Sequence, residues 1–156
     1  MINQDILLNN KPLLQNVFEQ AKKDQLVNRI YLVNAIRLEA ALVDHDSQNL
    51  LISNRDNGLT LVYLHAVASF AQSENPANLP DFKRNSQTVE EAFFRQNEQD
   101  KVNVYLINGI KLTGKVIAFD NDALLMHSTY RDKNEQLRES SQVIMKKAIA
   151  SVSLGY

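Results

Sequence analysis

Two stretches of this chain are near-copies of each other. Residues 31–46 read YLVNAIRLEAALVDHD, and residues 105–120 read YLINGIKLTGKVIAFD. At an offset of 74 they share Tyr31/Tyr105, Leu32/Leu106, Asn34/Asn108, Ile36/Ile110, Leu38/Leu112 and Asp46/Asp120. Leu50-Leu51 then aligns with Leu124-Leu125 without a gap. Further on, LVYLHAVAS (61–69) matches VIMKKAIAS (143–151) at an offset of 82, so the second copy has gained eight residues between the blocks. Two matches in one order, at nearly one offset, mark a duplication. A duplication divides the 156 residues into two half-size folding units rather than one ordinary domain.

The copies occupy residues 12–70 and 86–154. Residues 71–85 between them, with Pro76, Pro80 and many small polar groups, read as a linker. The whole chain carries 17 Lys+Arg against 18 Asp+Glu, a net charge of −1. Neither half is basic in bulk: residues 1–72 hold 6 basic and 7 acidic groups, and residues 73–156 hold 11 of each. Any nucleic-acid binding must therefore come from local patches. An apolar fraction of 44% excludes a disordered chain, and the lack of Cys excludes disulfides and thiolate metal sites. The three histidines, His45, His65 and His127, include no two at ligand spacing, so neither a metal nor a cofactor is expected. The nucleophile elbow, P-loop, zinc-protease and dinucleotide motifs are absent, and no enzyme is expected. The opening MINQDILLNN lacks the basic start and apolar run of a secretory signal. The longest apolar-leaning stretch, 59–71, is about 13 residues, short of the ~20 a membrane helix needs. A soluble, cytoplasmic protein is expected.

Each copy opens with a helical pattern. Leu13, Leu14, Val17, Phe18 and Ala21 recur at three- and four-residue spacing, followed by Lys22-Lys23 where cations suit the helix dipole. In the second copy Val89, Ala92 and Phe93 repeat that face, opened by Ser86 and Thr88 as capping residues. The remainder reads as short strands. Val102, Val104 and Leu106 alternate with polar or half-polar neighbours, and Asn108-Gly109 is a hairpin signal. Lys111 to Phe119 is a second strand with Gly114 inside it, where a bend or close backbone approach is expected. Ala123–His127, Gln142–Lys147 and Ala148–Val152 complete the set. One helix and five short bent strands in about 65 residues describe a small, partly open barrel, so the fold class is mainly β, with two tandem units of this kind.

YLINGIKLTGKVIAFD, preceded by a helix and followed by KKAIASV, resembles the Hfq family of bacterial Sm-like RNA-binding proteins. The resemblance is closest over 102–126 and 142–152, and the first repeat is a more divergent copy. It implies two Sm-like domains and, because such domains form six-membered rings through edge-strand pairing, a homotrimer that closes a six-domain ring. The implied ligand is single-stranded RNA, a small RNA or mRNA. On the face that takes A-rich strands, the resemblance assigns Tyr31, Asn34 and Arg37 in the first repeat. In the second it assigns Tyr105, Asn108, Gly109, Lys111, Thr113, Gln142 and Ser151. On the opposite, pore-proximal face it assigns Tyr63, His65, Asn121, Lys146 and Lys147, and on the rim Lys22 and Lys23.

The departures are specific. Ala35 stands where the hairpin Gly should be, and Glu39 where a Gln should meet an adenine edge. The Gln-Phe pair of the proximal face becomes Ser47-Gln48 and Asn121-Asp122, which leaves no aromatic platform there. The tyrosines also admit a plain strand-packing role, and Lys146-Lys147 reads equally as a solvated strand edge or a pore-lining patch. Residues 128–140 form an enlarged loop of mixed charge. Two functions follow: an RNA-chaperone-like protein in post-transcriptional regulation, or a degenerate paralogue that acts as a ring-assembly or protein-interaction module.

Overall fold

A computed structural model describes residues 11–55 and 58–154. The opening ten residues, on which the signal-sequence expectation rests, lie outside the described residues. The first repeat begins with helix α1 (Leu13–Asp24), whose Val17, Phe18 and Ala21 are buried as the spacing predicts. It ends at Gln25 in the left-handed conformation, with Lys22 and Lys23 in the last turn. Strands β1 (Leu26–Leu32), β2 (Arg37–His45), β3 (Asn49–Asn54), β4 (Gly58–Tyr63) and β5 (Val67–Pro76) follow, with a 3₁₀ turn at Leu64–Ala66. The second repeat runs α2 (Val89–Gln96), β6 (Val102–Leu106), β7 (Lys111–Phe119), β8 (Ala123–Arg131), β9 (Leu137–Met145), a 3₁₀ turn at Lys146–Ala148, and β10 (Ile149–Leu154). Thr88 caps α2 by accepting from the Glu91 amide at 3.1 Å, with Glu90 and Glu91 in the first turn.

Among the described residues the ten strands form one sheet in the order β5-β1-β2-β3-β4-β10-β6-β7-β8-β9. Within each repeat the order is the same, fifth-first-second-third-fourth, and the sheet does not close on itself. Even the irregularities recur. The β2–β3 ladder shifts between Leu42 and Asp44, and β7–β8 shifts at the equivalent Val116 and Ala118. Such bulges bend the strands and increase their local twist.

Residues 71–85, expected as linker, divide in two. Residues 71–76 are strand, the second half of β5, because β1 continues to pair with them as far as Leu26↔Pro76. Only the stretch after Pro76 is irregular, and it is fastened down: Leu79 and Phe82 pack on the second core. The enlarged loop 128–140 is mostly a hairpin extension. β8 and β9 reach Arg131 and Leu137, and Asp132 Oδ1 organises the turn by accepting from the Asn134 and Gln136 amides.

The repeats are joined by β4 pairing antiparallel with β10, through Val62↔Ser151, Leu61↔Val152 and Thr60↔Ser153. The joint is apolar. Val43, Leu51, Leu61 and Tyr63 of the first repeat enter the core built on Val89, Phe93, Val104, Leu124 and Val152. Ala150 in turn belongs to the first core, beside Phe18, Ile30 and Leu50. Gly114 lies where β7 crosses β8, and a Cβ there would meet the His127 carbonyl oxygen at 2.5 Å. The close backbone approach expected of this Gly is present.

Candidate nucleic-acid interface

The residues assigned to the A-rich face occupy equivalent places in the two repeats. Tyr31 on β1 stands opposite Arg37 on β2, and Tyr105 on β6 opposite Lys111 on β7. The turns between them are alike. Asn34 Oδ1 accepts from the Ile36 amide at 3.2 Å, and Asn108 Oδ1 accepts from the Ile110 amide at 3.1 Å. Gly109 has φ +89°, and Ala35 is forced to φ +67° at the matching position. The Arg37 guanidinium lies 5.9 Å from the Tyr31 ring centre and also ion-pairs with Glu39. The Glu39 charge is thus spent on Arg37, and it holds the guanidinium more firmly protonated than usual, mainly through their hydrogen bond. The second repeat has no such clamp on this face: Lys111 is exposed, and Thr113 donates to Asn103 Oδ1 at 2.7 Å. Gln142 is exposed on β9. Ser151 pairs directly with Tyr105 and so shares its face, but only 6% of it is exposed. It is buried in the joint between β4 and β6, because β10 is covered on both edges.

The proximal set gathers around a cleft of about 1000 Å³ between the repeats, which contains Tyr63, His65, Asn121, Lys146 and Lys147. Two of these residues are engaged with a carboxylate. Tyr63, 4% exposed, donates to Glu90 Oε2 at 2.5 Å, and Lys146 Nζ donates to Glu90 Oε1 at 2.5 Å. Burial, reinforced by the Glu90 charge, holds the Tyr63 hydroxyl well above its ordinary pKa. Tyr63 is therefore no open stacking platform, and Lys146 lies over Phe119 instead of reaching into solvent. His65 is exposed, stacks on Tyr63 at 5.6 Å, and its Nε2 lies 2.7 Å from the Ile149 carbonyl oxygen. Asn121 and Lys147 remain exposed. Asp46, Glu91, Asp120 and Asp122 also line the cleft, so carboxylates outnumber its two lysines. That balance opposes phosphate binding.

The rim is organised by a residue that the repeat pattern passes over. Arg84, in the connection, donates to both oxygens of Asp44 at 2.8 Å and to the His45 carbonyl oxygen at 2.6 Å. Lys22 joins the same carboxylate at 3.3 Å, whereas Lys23 is exposed. Burial raises the Asp44 carboxyl, but the Arg84 bonds, the His45 amide and the Lys22 charge outweigh it and leave the group below the usual carboxylate range. Burial also lowers His45. Nearby, Asp46 Oδ2 accepts from the Val89 amide at 2.8 Å, so the first repeat caps the second repeat's helix. Arg84, Glu90 and Asp46 were not legible as functional groups. None lies in the repeated blocks except Asp46, whose partner is 43 residues away.

The helix, the strand order fifth-first-second-third-fourth and the Tyr–Asn–Gly–Lys hairpin all fall in one stretch. Residues 93–154 match the family model for Hfq protein. The Hfq-matched segment begins inside α2 and takes in β6 through β10, the half in which Tyr105, Asn108, Gly109 and Lys111 stand. This supports an Hfq-type, Sm-like segment in the second repeat. No curated protein matches the chain. Among the described residues no helix is long and apolar enough to cross a membrane.

Proposed function

We propose that this protein is an RNA-binding, RNA-chaperone-like protein: two Sm-like domains in tandem, assembled as a homotrimer into a six-domain ring that holds single-stranded, A-rich RNA. The observation that carries the reading is the hairpin pair Tyr105–Lys111 beside the Asn108-Gly109 turn, in the Hfq-matched half. An aromatic ring, a cation and turn amides supply what an unpaired base and its phosphate need: stacking, edge hydrogen bonds and charge. The first repeat offers the same arrangement in weaker form, because Glu39 occupies Arg37. Alternate sites around the ring would then differ in strength, and the second repeats would do most of the holding. Regulation of translation or turnover of mRNA is the process such a protein serves.

A second reading, a ring-assembly module with little RNA binding, is favoured by the acidic cleft, where Glu90 occupies Tyr63 and Lys146. Titration of labelled oligo(A) and oligo(U) at fixed salt separates the two readings. Oligo(A) is expected to bind more tightly than oligo(U). Tyr105→Ala with Lys111→Ala is expected to weaken oligo(A) about tenfold or more and to flatten the salt dependence. No oligo(A) binding by the unaltered chain at about 100 mM salt, where screening is moderate, selects the second reading.

A further inference from the structure

The first repeat carries arginines at two positions where the second has neutral residues. At the offset of 74, Arg29 stands against Asn103 and Arg55 against Thr129. Strand register brings both arginines to one place. Arg29 on β1 pairs directly with Glu39 on β2. β2 pairs with β3 through Ala41↔Ser53 and Ala40↔Asn54, so the next position sets Arg55 beside the same Glu39. Arg37, two residues along β2, ion-pairs with it. Glu39 is thus one carboxylate among three guanidinium groups. Among the described residues its ion pair is with Arg37, and Arg29 and Arg55 are exposed.

These residues line a trough. A cleft of about 720 Å³ takes in Arg37 and Arg55, and one of about 490 Å³ takes in Arg29 and Arg37. The two share Val27, Arg37, Glu39 and Asn75, so each runs into the other. A bulge makes the outer wall. From Asn28↔Gln72 to Leu26↔Pro76, β1 advances two residues and β5 four, which bows 73–75 out of the ladder. The wall is pinned at both ends: the Asn75 amide donates to Ser73 Oγ at 3.1 Å, and the Ala77 amide to the Gln25 carbonyl oxygen at 3.0 Å. Glu74 also lies on the wall, so the trough holds three arginines and two glutamates. That balance is the reverse of the one in the cleft between the repeats, where carboxylates prevail. Asn54 and Asn75 add amide donors and acceptors. The trough adjoins Tyr31, which stands opposite Arg37 with its ring 5.9 Å from the guanidinium.

We infer that this trough holds the sugar–phosphate backbone of a single-stranded RNA beside the base site at Tyr31. The inference rests on the RNA-binding reading above and deepens it. A guanidinium is a planar fork of N–H donors that matches phosphate oxygens and keeps its charge at any working pH. Arg29 and Arg55 flank β2 on either side, about 10 Å apart at two strand spacings, so they reach the backbone at separate points. The repeats then differ in kind as well as in strength. The second repeats grip bases at Tyr105 and Lys111, and the first repeats contribute mainly backbone contacts.

Oligo(A) titration by fluorescence anisotropy across a range of KCl concentrations tests this in the full chain. Arg29→Gln with Arg55→Gln removes two phosphate contacts from each first repeat that the strand engages. The slope of log affinity against log salt is expected to fall in magnitude by about 1.4 for each such repeat, and affinity to drop about tenfold. Arg29→Lys with Arg55→Lys keeps both charges and is expected to keep the slope. Lys101→Gln with Lys133→Gln removes the same total charge from exposed positions elsewhere and is also expected to keep it. An unchanged slope in the Arg→Gln variant, with oligo(A) still weakened by Tyr105→Ala plus Lys111→Ala, would overturn the trough and leave the RNA reading intact. An equal loss of slope in the Lys→Gln control would reduce the effect to bulk charge and overturn it as well. AMP bound by the unaltered chain and released by the Arg→Gln variant, with the oligo(A) slope unmoved, would give the trough to a free nucleotide and overturn its RNA role. No oligo(A) binding by the unaltered chain would overturn the trough together with the RNA reading.

Discussion

At the residue scale, the difference between the repeats is concentrated in a few substitutions. Ala35 holds φ +67° where Gly109 holds +89°. An L side chain in that region is strained, and Gly relieves it while adding freedom to the unfolded chain. Ala35→Gly is therefore expected to stabilise the protein by about 0.5–1 kcal/mol, read as a higher urea midpoint with an unchanged slope. The Tyr–Asn–Lys hairpins were legible from the sequence because their contacts are local: Tyr105 and Lys111 are six residues apart and pair across one turn. Glu90 was not, because its partners Tyr63, on β4, and Lys146, in the 3₁₀ turn after β9, are 27 and 56 residues away. The burial of Ser151 was not legible for a related reason: the sequence does not say that β4 of the other repeat pairs with β10.

At the scale of elements, the connection does more than tether. A Pro-rich, polar stretch reads as slack chain, yet its Arg84 forks onto Asp44, and Phe82 reaches the second core. Helix α1, β2, the connection and α2 are thereby bound at one end of the first repeat, since Lys22 also meets Asp44 and Asp46 caps α2. Arg84→Ala leaves a buried carboxylate with Lys22 as its remaining cation. Because Arg84 is about a third exposed, the expected loss of stability is moderate, about 2 kcal/mol. The pH dependence follows from the sign of the Asp44 shift. Its carboxyl is lowered in the folded state, so its contribution is present above the unfolded carboxylate pKa and is lost as pH falls through the lower, folded value. Thermal unfolding as a function of pH is expected to show a steep loss of stability on the acid side, and a shallower one in Arg84→Ala.

At the scale of the whole molecule, the two similar stretches of sequence fall in two runs of strands with the same internal order. The mainly β character was readable from the alternating segments, and the two similar stretches at an offset of 74 carry ladder shifts at matching positions. What the repeat did not disclose was that one edge of each kind is already consumed. β4 and β10 close on each other within the chain, which leaves β5 and β9 as unlike, complementary ends. Unlike ends join head to tail, and such contacts close into a ring when the rotation permits. In the proposed trimer, three chains would present six hairpins of two kinds in alternation. This also gives the balanced charge a meaning. Cations are placed singly at Arg37 and Lys111, with Glu39 moderating one of them, while the acidic inter-repeat cleft discourages phosphate. The measurement that tests the account most directly is native mass spectrometry of the chain, 17.7 kDa, mixed with an 18-nucleotide oligo(A). The account predicts a species of three chains, about 53 kDa, carrying one RNA. Single chains without RNA, under conditions where the protein is folded, would contradict it.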